Sequence, residues 1–123
     1  MPKCILIVDD NASIRQMLWT IFEETPGWEV CGEAQNGREA IQKARELKPD
    51  LIVLDLSMPI MNGLEAAPVL RRMLPEVPII LYTLHDSKLV EREGFSVGIS
   101  AVVSKAADVK TLVNQAEDLL RAA

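Results

Sequence analysis

The chain has 123 residues, 49% hydrophobic and 25% charged, a composition typical of one globular domain. Its net charge of −5 argues against a nucleic-acid surface, which needs clustered lysine and arginine. No apolar run reaches the ~18 residues of a membrane helix and no signal peptide is recognisable, so we expect a cytoplasmic protein without membrane contact.

The first half of the chain alternates short apolar runs with segments of helical periodicity. The run before Asp9 is apolar throughout, which is typical of a strand buried on both faces of a parallel sheet. Glu39 follows Asn36 at capping-box spacing, so Asn36 is interpreted as a helix start and not as part of a hairpin. In chain order we predict a strand over 4–8, a helix over 14–22, an edge strand over 28–34, a helix over 36–47 and a strand over 51–54.

The second half repeats the alternation. Asn62 and Glu65 have the same capping relation, and Asp108 is predicted as the N-cap of the last helix. In chain order we predict a helix over 62–74, a strand over 77–83, a helix over 87–95, a strand over 100–104 and a helix over 108–120. Strands alternating with helices predict an α/β fold: a doubly wound, five-stranded parallel sheet in one domain over residues 1–123.

The two cysteines, Cys4 and Cys31, do not have the spacing of a metal site. A domain with a sufficient apolar core does not need a disulfide for stability. Cysteine is also often buried simply as a small hydrophobic residue. We therefore predict that both thiols are free and buried.

Polar residues follow four of the predicted strands at their carboxyl ends, where ligands bind in open α/β sheets. They are Asp9, Asp10, Asp55, Thr83 and Lys105. Each aspartate alone could be only a turn former or a helix cap. Three carboxylates in one crevice repel one another, however, and oxygen ligands of this kind suit Mg²⁺. The lysine and the threonine supply a positive charge and a hydroxyl for a phosphoryl group.

These residues, with Met58-Pro59 and with Gly63 eight positions after Asp55, resemble the receiver domain of two-component response regulators, the CheY-like family. The resemblance covers essentially the whole chain. It implies the flavodoxin-like arrangement of five βα units with strand order 2-1-3-4-5. It also implies a signalling domain that catalyses only its own phosphotransfer and slow dephosphorylation.

The resemblance implies a role for each site residue. Asp55 would accept a phosphoryl group from a sensor histidine kinase or a phosphotransfer protein. Asp10 would bind Mg²⁺ directly, Asp9 would bind it through water or orient the site, and the backbone carbonyl of Ser57 would be a further ligand. The metal site thus comprises Asp9, Asp10, Asp55 and Ser57.

Two further roles concern the phosphoryl group itself. Lys105 would pair with it, and the Thr83 hydroxyl would move toward it. The added negative charge would then bias a two-state element.

The sequence departs from the family pattern at several positions. Val102 occupies the position three residues before Lys105 where the family usually has Tyr or Phe, so the aromatic switch is missing. Tyr82 either substitutes for it in part or belongs to the core, and the core interpretation is favoured. Ala106 follows Lys105 where Pro is common, a variant found in receivers joined to helix-turn-helix domains. His85 is favoured as a solvated loop residue over a group that controls phosphoryl lifetime.

Other functions remain open at this point. The missing aromatic leaves room for a module that signals by contacts alone, without phosphorylation. A turnover phosphatase fits less well because Ser57 stands where such enzymes usually carry a second Asp, and no Gly-rich phosphate loop follows the first strand. By analogy with the family, a homodimer through the fourth helix, fifth strand and fifth helix is also expected. The chain is expected to be a stand-alone receiver or, slightly favoured, the front part of a longer regulator.

Overall fold

The alternating apolar and amphipathic segments fold into the predicted α/β sandwich. The computed structural model describes residues 1–122 and contains one parallel sheet in the order β2-β1-β3-β4-β5. The doubly wound fold class and the strand order are therefore confirmed. The strands are β1 (Lys3–Val8), β2 (Trp28–Ala34), β3 (Leu51–Leu54), β4 (Ile79–Thr83) and β5 (Ala101–Ser104).

A helix follows each strand, and side-chain caps fix where most of these helices begin. The predicted caps at Asn36 and Asn62 are both present, and the second forms a full capping box with Glu65. Asp108 accepts a hydrogen bond from the backbone N–H of Lys110, as predicted for the last helix. The helices are α1 (Ala12–Glu23), α2 (Gly37–Leu47), α3 (Gly63–Met73), α4 (Lys88–Ser96) and α5 (Val109–Ala122).

The sheet separates two apolar clusters. One joins the sheet to α1 and α5 and includes Phe22 and Leu112, and the other joins it to α2 and α3 and includes Ala44 and Leu70. β3 and β4 are buried at every position, as expected for central strands of a parallel sheet. Within residues 1–122, no helix is long and apolar enough to span a membrane.

The start of β4 differs from the prediction. The strand begins at Ile79, two residues later than the apolar pattern indicates. Val77 instead closes the turn after α3, because its N–H donates to the carbonyl of Leu74, and Pro78 has no N–H for the sheet. Apolar character alone does not indicate a strand, because Val77 and Pro78 are apolar but lie in the turn before β4.

Cys4 and Cys31 form a disulfide, so the prediction of free thiols was wrong. The two residues lie on the neighbouring strands β1 and β2, whose register shifts between Ile5 and Leu6. This irregularity leaves Cys31 as an extra residue of β2, and the Cα atoms of the two cysteines are 5.3 Å apart, within bridging range. Composition and cysteine spacing indicate only whether a bridge is needed, whereas strand pairing determines whether one can form.

Candidate functional site

Three carboxylates meet at the carboxyl ends of the neighbouring strands β1 and β3. Asp9 and Asp10 directly follow β1, and Asp55 directly follows β3. One carboxylate oxygen of each lies within 4.8 Å of the others. Asp9 and Asp55 are buried and Asp10 is exposed, so the cluster has one open side.

Lys105 crosses the carboxyl edge of the sheet to reach this cluster. The residue follows β5, yet its Nζ atom lies 2.7 Å from Asp9 Oδ2 and 3.3 Å from Asp55 Oδ1. Only 13% of the Lys105 side chain is exposed, so solvent screens these ion pairs less than surface pairs. One ammonium therefore offsets part of the repulsion among three carboxylates.

Every polar atom of Asp9 has a protein partner. Its N–H donates to the carbonyl of Ala34, and its own carbonyl accepts a 2.7 Å hydrogen bond from Arg15 Nη1. Its Oδ1 accepts from the N–H of Asn11, and its Oδ2 pairs with Lys105. Asp9 is thus fixed in position, while exposed Asp10 remains accessible to a ligand.

Arg15 and Asn11 were missed by the sequence analysis. Arg15 Nε also pairs with Glu33 at the end of β2, and its side chain is 12% exposed, so it ties α1 to two strand ends. Asn11 caps α1 through the N–H groups of Ser13 and Ile14. An Asn immediately before a helical pattern is a recognisable capping signal, whereas nothing in the sequence pairs Arg15 with a residue eighteen positions away.

The pKa of Asp55 and the pKa of Lys105 are both raised. This disfavours the charged form of the aspartate and favours the charged form of the lysine. Burial and the neighbouring Asp9 raise the pKa of Asp55, and Lys105 only partly opposes this. Burial lowers the pKa of Lys105, but its two aspartate partners outweigh burial and the net pKa is raised. The ammonium is therefore firmly charged at neutral pH, and Asp55 is the carboxylate most in need of a further cation.

The loop between β3 and α3 forms the wall of the open side. Gly63 approaches Asp55 so closely that a Cβ at this position would lie 2.2 Å from the Asp55 carbonyl oxygen. The Gly63 N–H donates to the carbonyl of Leu56, which fixes the loop across the strand end. A cleft of about 590 Å³ opens here, lined by Asp10, Leu56, Ser57, Met58 and Asn62.

Thr83 joins the site through its backbone. The Lys105 N–H donates to the Thr83 carbonyl, which aligns the ends of β4 and β5. The Thr83 side chain is completely buried, and its hydroxyl accepts a 3.0 Å hydrogen bond from the N–H of His85. His85 itself is exposed, in agreement with a solvated loop position.

Tyr82 and Val102 lie on opposite faces of the sheet. Tyr82 is 3% exposed and belongs to the cluster with α1 and α5, whereas Val102 packs against the cluster with α2 and α3. Tyr82 therefore cannot stand in for an aromatic ring at position 102, and the favoured core interpretation of Tyr82 is confirmed.

The donor set fits a hard divalent cation. Three carboxylates supply only oxygen, two of them are buried, and the cluster carries more negative charge than Lys105 neutralises. Oxygen ligands with one open side suit Mg²⁺, which keeps several of its waters. The cluster can thus hold a metal ion next to the carboxylate of Asp55.

Comparisons with known proteins agree with this architecture. The family model described as response regulator receiver domain matches residues 5–117. A chemotaxis protein CheY of Thermotoga maritima is 40% identical over 105 residues, covering 85% of this chain and 87% of that protein. The transcriptional regulatory protein YdfI of Bacillus subtilis is 34% identical, and the match covers 95% of this chain but 54% of that longer protein.

Two solved structures are similar along nearly the whole chain. A two-component response regulator of the LuxR family from Aurantimonas superimposes with a TM-score of 0.94 at 31% identity, covering 99% of this chain and 87% of that one. Chemotaxis protein CheY4 of Vibrio cholerae gives a TM-score of 0.89 at 32% identity, covering 97% of this chain and 99% of that one.

Proposed function

This chain belongs to the response regulator receiver domain family of two-component systems, and we propose that Asp55 is its phosphoacceptor. The donor is a phosphohistidine on a sensor histidine kinase or a phosphotransfer protein. A carboxylate oxygen of Asp55 forms the new bond to phosphorus, the P–N bond breaks, and the imidazole nitrogen keeps the electron pair. The observation that carries this proposal is the convergence of three carboxylates and one ammonium at the strand ends.

The main barrier to this reaction is repulsion between an anionic nucleophile and an anionic donor. Lys105, already 3.3 Å from Asp55, pairs with the incoming phosphoryl oxygens and offsets part of this repulsion. The Thr83 hydroxyl turns toward the phosphoryl group and reports its presence, leaving its contact with the N–H of His85. The added charge of roughly one unit is the signal that biases the conformation of the domain.

Mg²⁺ is the proposed cofactor, and when bound it supplies positive charge for the developing phosphoryl transition state. Asp10 is proposed as a direct ligand because its side chain is exposed at the open side. Asp9 acts through water or by orienting the site, since its oxygens already accept from Asn11 and Lys105. The carboxylate of Asp55 and the backbone carbonyl of Ser57, which lines the cleft, complete the ligand set.

Labelling with a small phosphodonor tests the assignment. Acetyl phosphate with Mg²⁺ should add one phosphoryl group to the intact protein, and chelation of Mg²⁺ should abolish the addition. Asp55→Asn should not be labelled, whereas Asp118→Asn, a matched change on the exposed face of α5, should be labelled like the parent. Equal labelling of Asp55→Asn and the parent would rule out the assignment.

The second candidate is a module on the same fold that signals by contacts alone, favoured by Val102 at the aromatic switch position. Amide spectra with and without Mg²⁺ and beryllofluoride distinguish the two. Shifts on α4 and β5 support the phosphorylation-dependent receiver, and their absence supports the contact-only module. Sedimentation under the same conditions tests a homodimer through α4, β5 and α5, which an unchanged monomer would refute.

We also propose where the domain acts and which contacts it lacks. We place the domain in the cytoplasm, where histidine kinases present their phosphohistidine, without a membrane contact and without a direct nucleic-acid contact by this domain. The net charge of −5 supports the last point. The function is signalling, with catalysis limited to the domain's own phosphotransfer and slow dephosphorylation.

A further inference from the structure

Tyr82 lies where the Lys105 side chain has to cross the sheet. In the order β2-β1-β3-β4-β5, the strand β4 separates β5, which carries Lys105, from β3 and β1, which carry the aspartates. Neighbouring strands are ~4.8 Å apart, so the path from β5 to β1 passes over the end of β4. Tyr82 is the penultimate residue of that strand.

The Tyr82 ring contacts the ammonium that the site depends on. Lys105 Nζ lies 5.9 Å from the ring centroid, within the range of a cation–π interaction. The ring is 3% exposed and the Lys105 side chain 13% exposed, so little water competes for the ammonium. The ring thus adds a third attractive contact beside Asp9 and Asp55.

Packing in the core also restricts the position of the Tyr82 ring. Its ring packs in the cluster that joins the sheet to α1 and α5, together with Val103 and Leu112. Burial raises the pKa of the phenol above its usual value, so the ring is neutral at neutral pH, where Lys105 is charged. A fixed neutral ring beneath a long, flexible side chain reduces the number of positions that the ammonium samples.

We propose that Tyr82 is a positioning residue that holds the Lys105 ammonium over the crevice between Asp9 and Asp55. This inference rests on the proposed phosphoacceptor function and extends it to a residue outside the acidic cluster. Tyr82 does not touch the reacting atoms and acts through Lys105 alone. Its function is therefore distinct from that of an aromatic switch at position 102, which lies on the other face of the sheet.

The test compares three substitutions on β4. Tyr82→Phe keeps the ring, Tyr82→Leu removes the ring but keeps an apolar side chain, and Ile80→Val perturbs the same face of the same strand. We expect Tyr82→Leu to lower the rate of labelling by acetyl phosphate about threefold to tenfold, a loss between that of an exposed and that of a fully desolvated cation–π contact. Tyr82→Phe restores the rate to within about twofold, and Ile80→Val leaves it unchanged. A Tyr82→Leu protein that is labelled as fast as the parent overturns the proposal.

A double-substitution cycle separates positioning from a general loss of packing. If Tyr82 acts through Lys105, then Tyr82→Leu costs nothing further in a Lys105→Gln background. The same fold loss in both backgrounds means that the ring acts by another route, and the proposal fails.

A second readout needs neither metal nor phosphodonor. Tyr82 is the only tyrosine of the chain, so its ring resonances are assigned without ambiguity. Lys105→Gln should shift these resonances in the metal-free protein, and unchanged resonances overturn the proposed contact. If the parent chain is not labelled at all, the phosphoacceptor function fails while this spectroscopic comparison still decides the role of Tyr82.

Discussion

Replacing Gly63 with alanine should disturb Asp55 directly, although Gly63 itself carries no reactive group. The new Cβ would lie 2.2 Å from the Asp55 carbonyl oxygen and 3.2 Å from the Leu56 Cα. The carbonyl oxygen and the Cβ must separate by about 1 Å to reach an ordinary contact. Side-chain rotation cannot provide this separation, because the backbone fixes the positions of both atoms. Overpacking of this kind costs about 1–3 kcal/mol of unfolding free energy.

The effect on phosphorylation should be larger than the effect on stability. A misplacement of about 1 Å in a reacting group lowers a rate by ~10²-fold. Denaturant unfolding and acetyl phosphate labelling should therefore be measured on the same Gly63→Ala protein. Gly94→Ala in α4 is the matched control, since its Cβ would meet Ile99 at an ordinary 3.4 Å and helix propensity favours alanine. Labelling of Gly63→Ala at the rate of the parent would refute the reasoning about the loop.

Three further predictions concern stability. Because the pKa of Asp55 is raised in the folded protein, the unfolding free energy should fall as pH rises from the usual value of 3.8 through the raised pKa. Asp55→Asn should reduce this fall and raise Tm at pH 7. Equal pH profiles for the parent and Asp55→Asn would contradict this prediction. Reduction of the bridge between Cys4 and Cys31, which are 27 residues apart, should lower the unfolding free energy by about 2–4 kcal/mol. Urea titrations with and without dithiothreitol measure this difference. An unchanged midpoint would argue against the bridge. Ile60 is 71% exposed with a φ of 71°, so Ile60→Gly should raise the unfolding free energy by up to about 1 kcal/mol, whereas a loss would show that the side chain is held by packing.

Most of the fold could be predicted from the sequence because local and global signals agree. The strand before Asp9 is apolar from Cys4 to Val8, and the caps at Asn36 and Asn62 distinguish helix starts from hairpin turns. The carboxylates and Lys105 were predictable for a topological reason: parallel strands bring their carboxyl ends to one edge, wherever the residues lie in the chain.

The remaining features depend on the register between elements, which the sequence pattern does not specify. Period-two alternation places Cys4 on a face of β1, but the shift that brings Cys31 alongside depends on how β2 pairs with it. The bond from Arg15 to the Asp9 carbonyl depends on the packing angle of α1. The contact of Lys105 with the Tyr82 ring depends on the path of a flexible side chain.

The three aspartates differ in what already satisfies them, and this difference supports their separate proposed roles. Asp9 accepts hydrogen bonds at both carboxylate oxygens and has the shorter contact with Lys105, 2.7 Å against 3.3 Å for Asp55. Asp10 is exposed to solvent, which stabilises its charge without the protein. Asp55 is buried and shares the ammonium at the longer distance, and its pKa is raised. A buried carboxylate whose charge is incompletely compensated gains most from an added cation and keeps electron pairs free, as a nucleophile must.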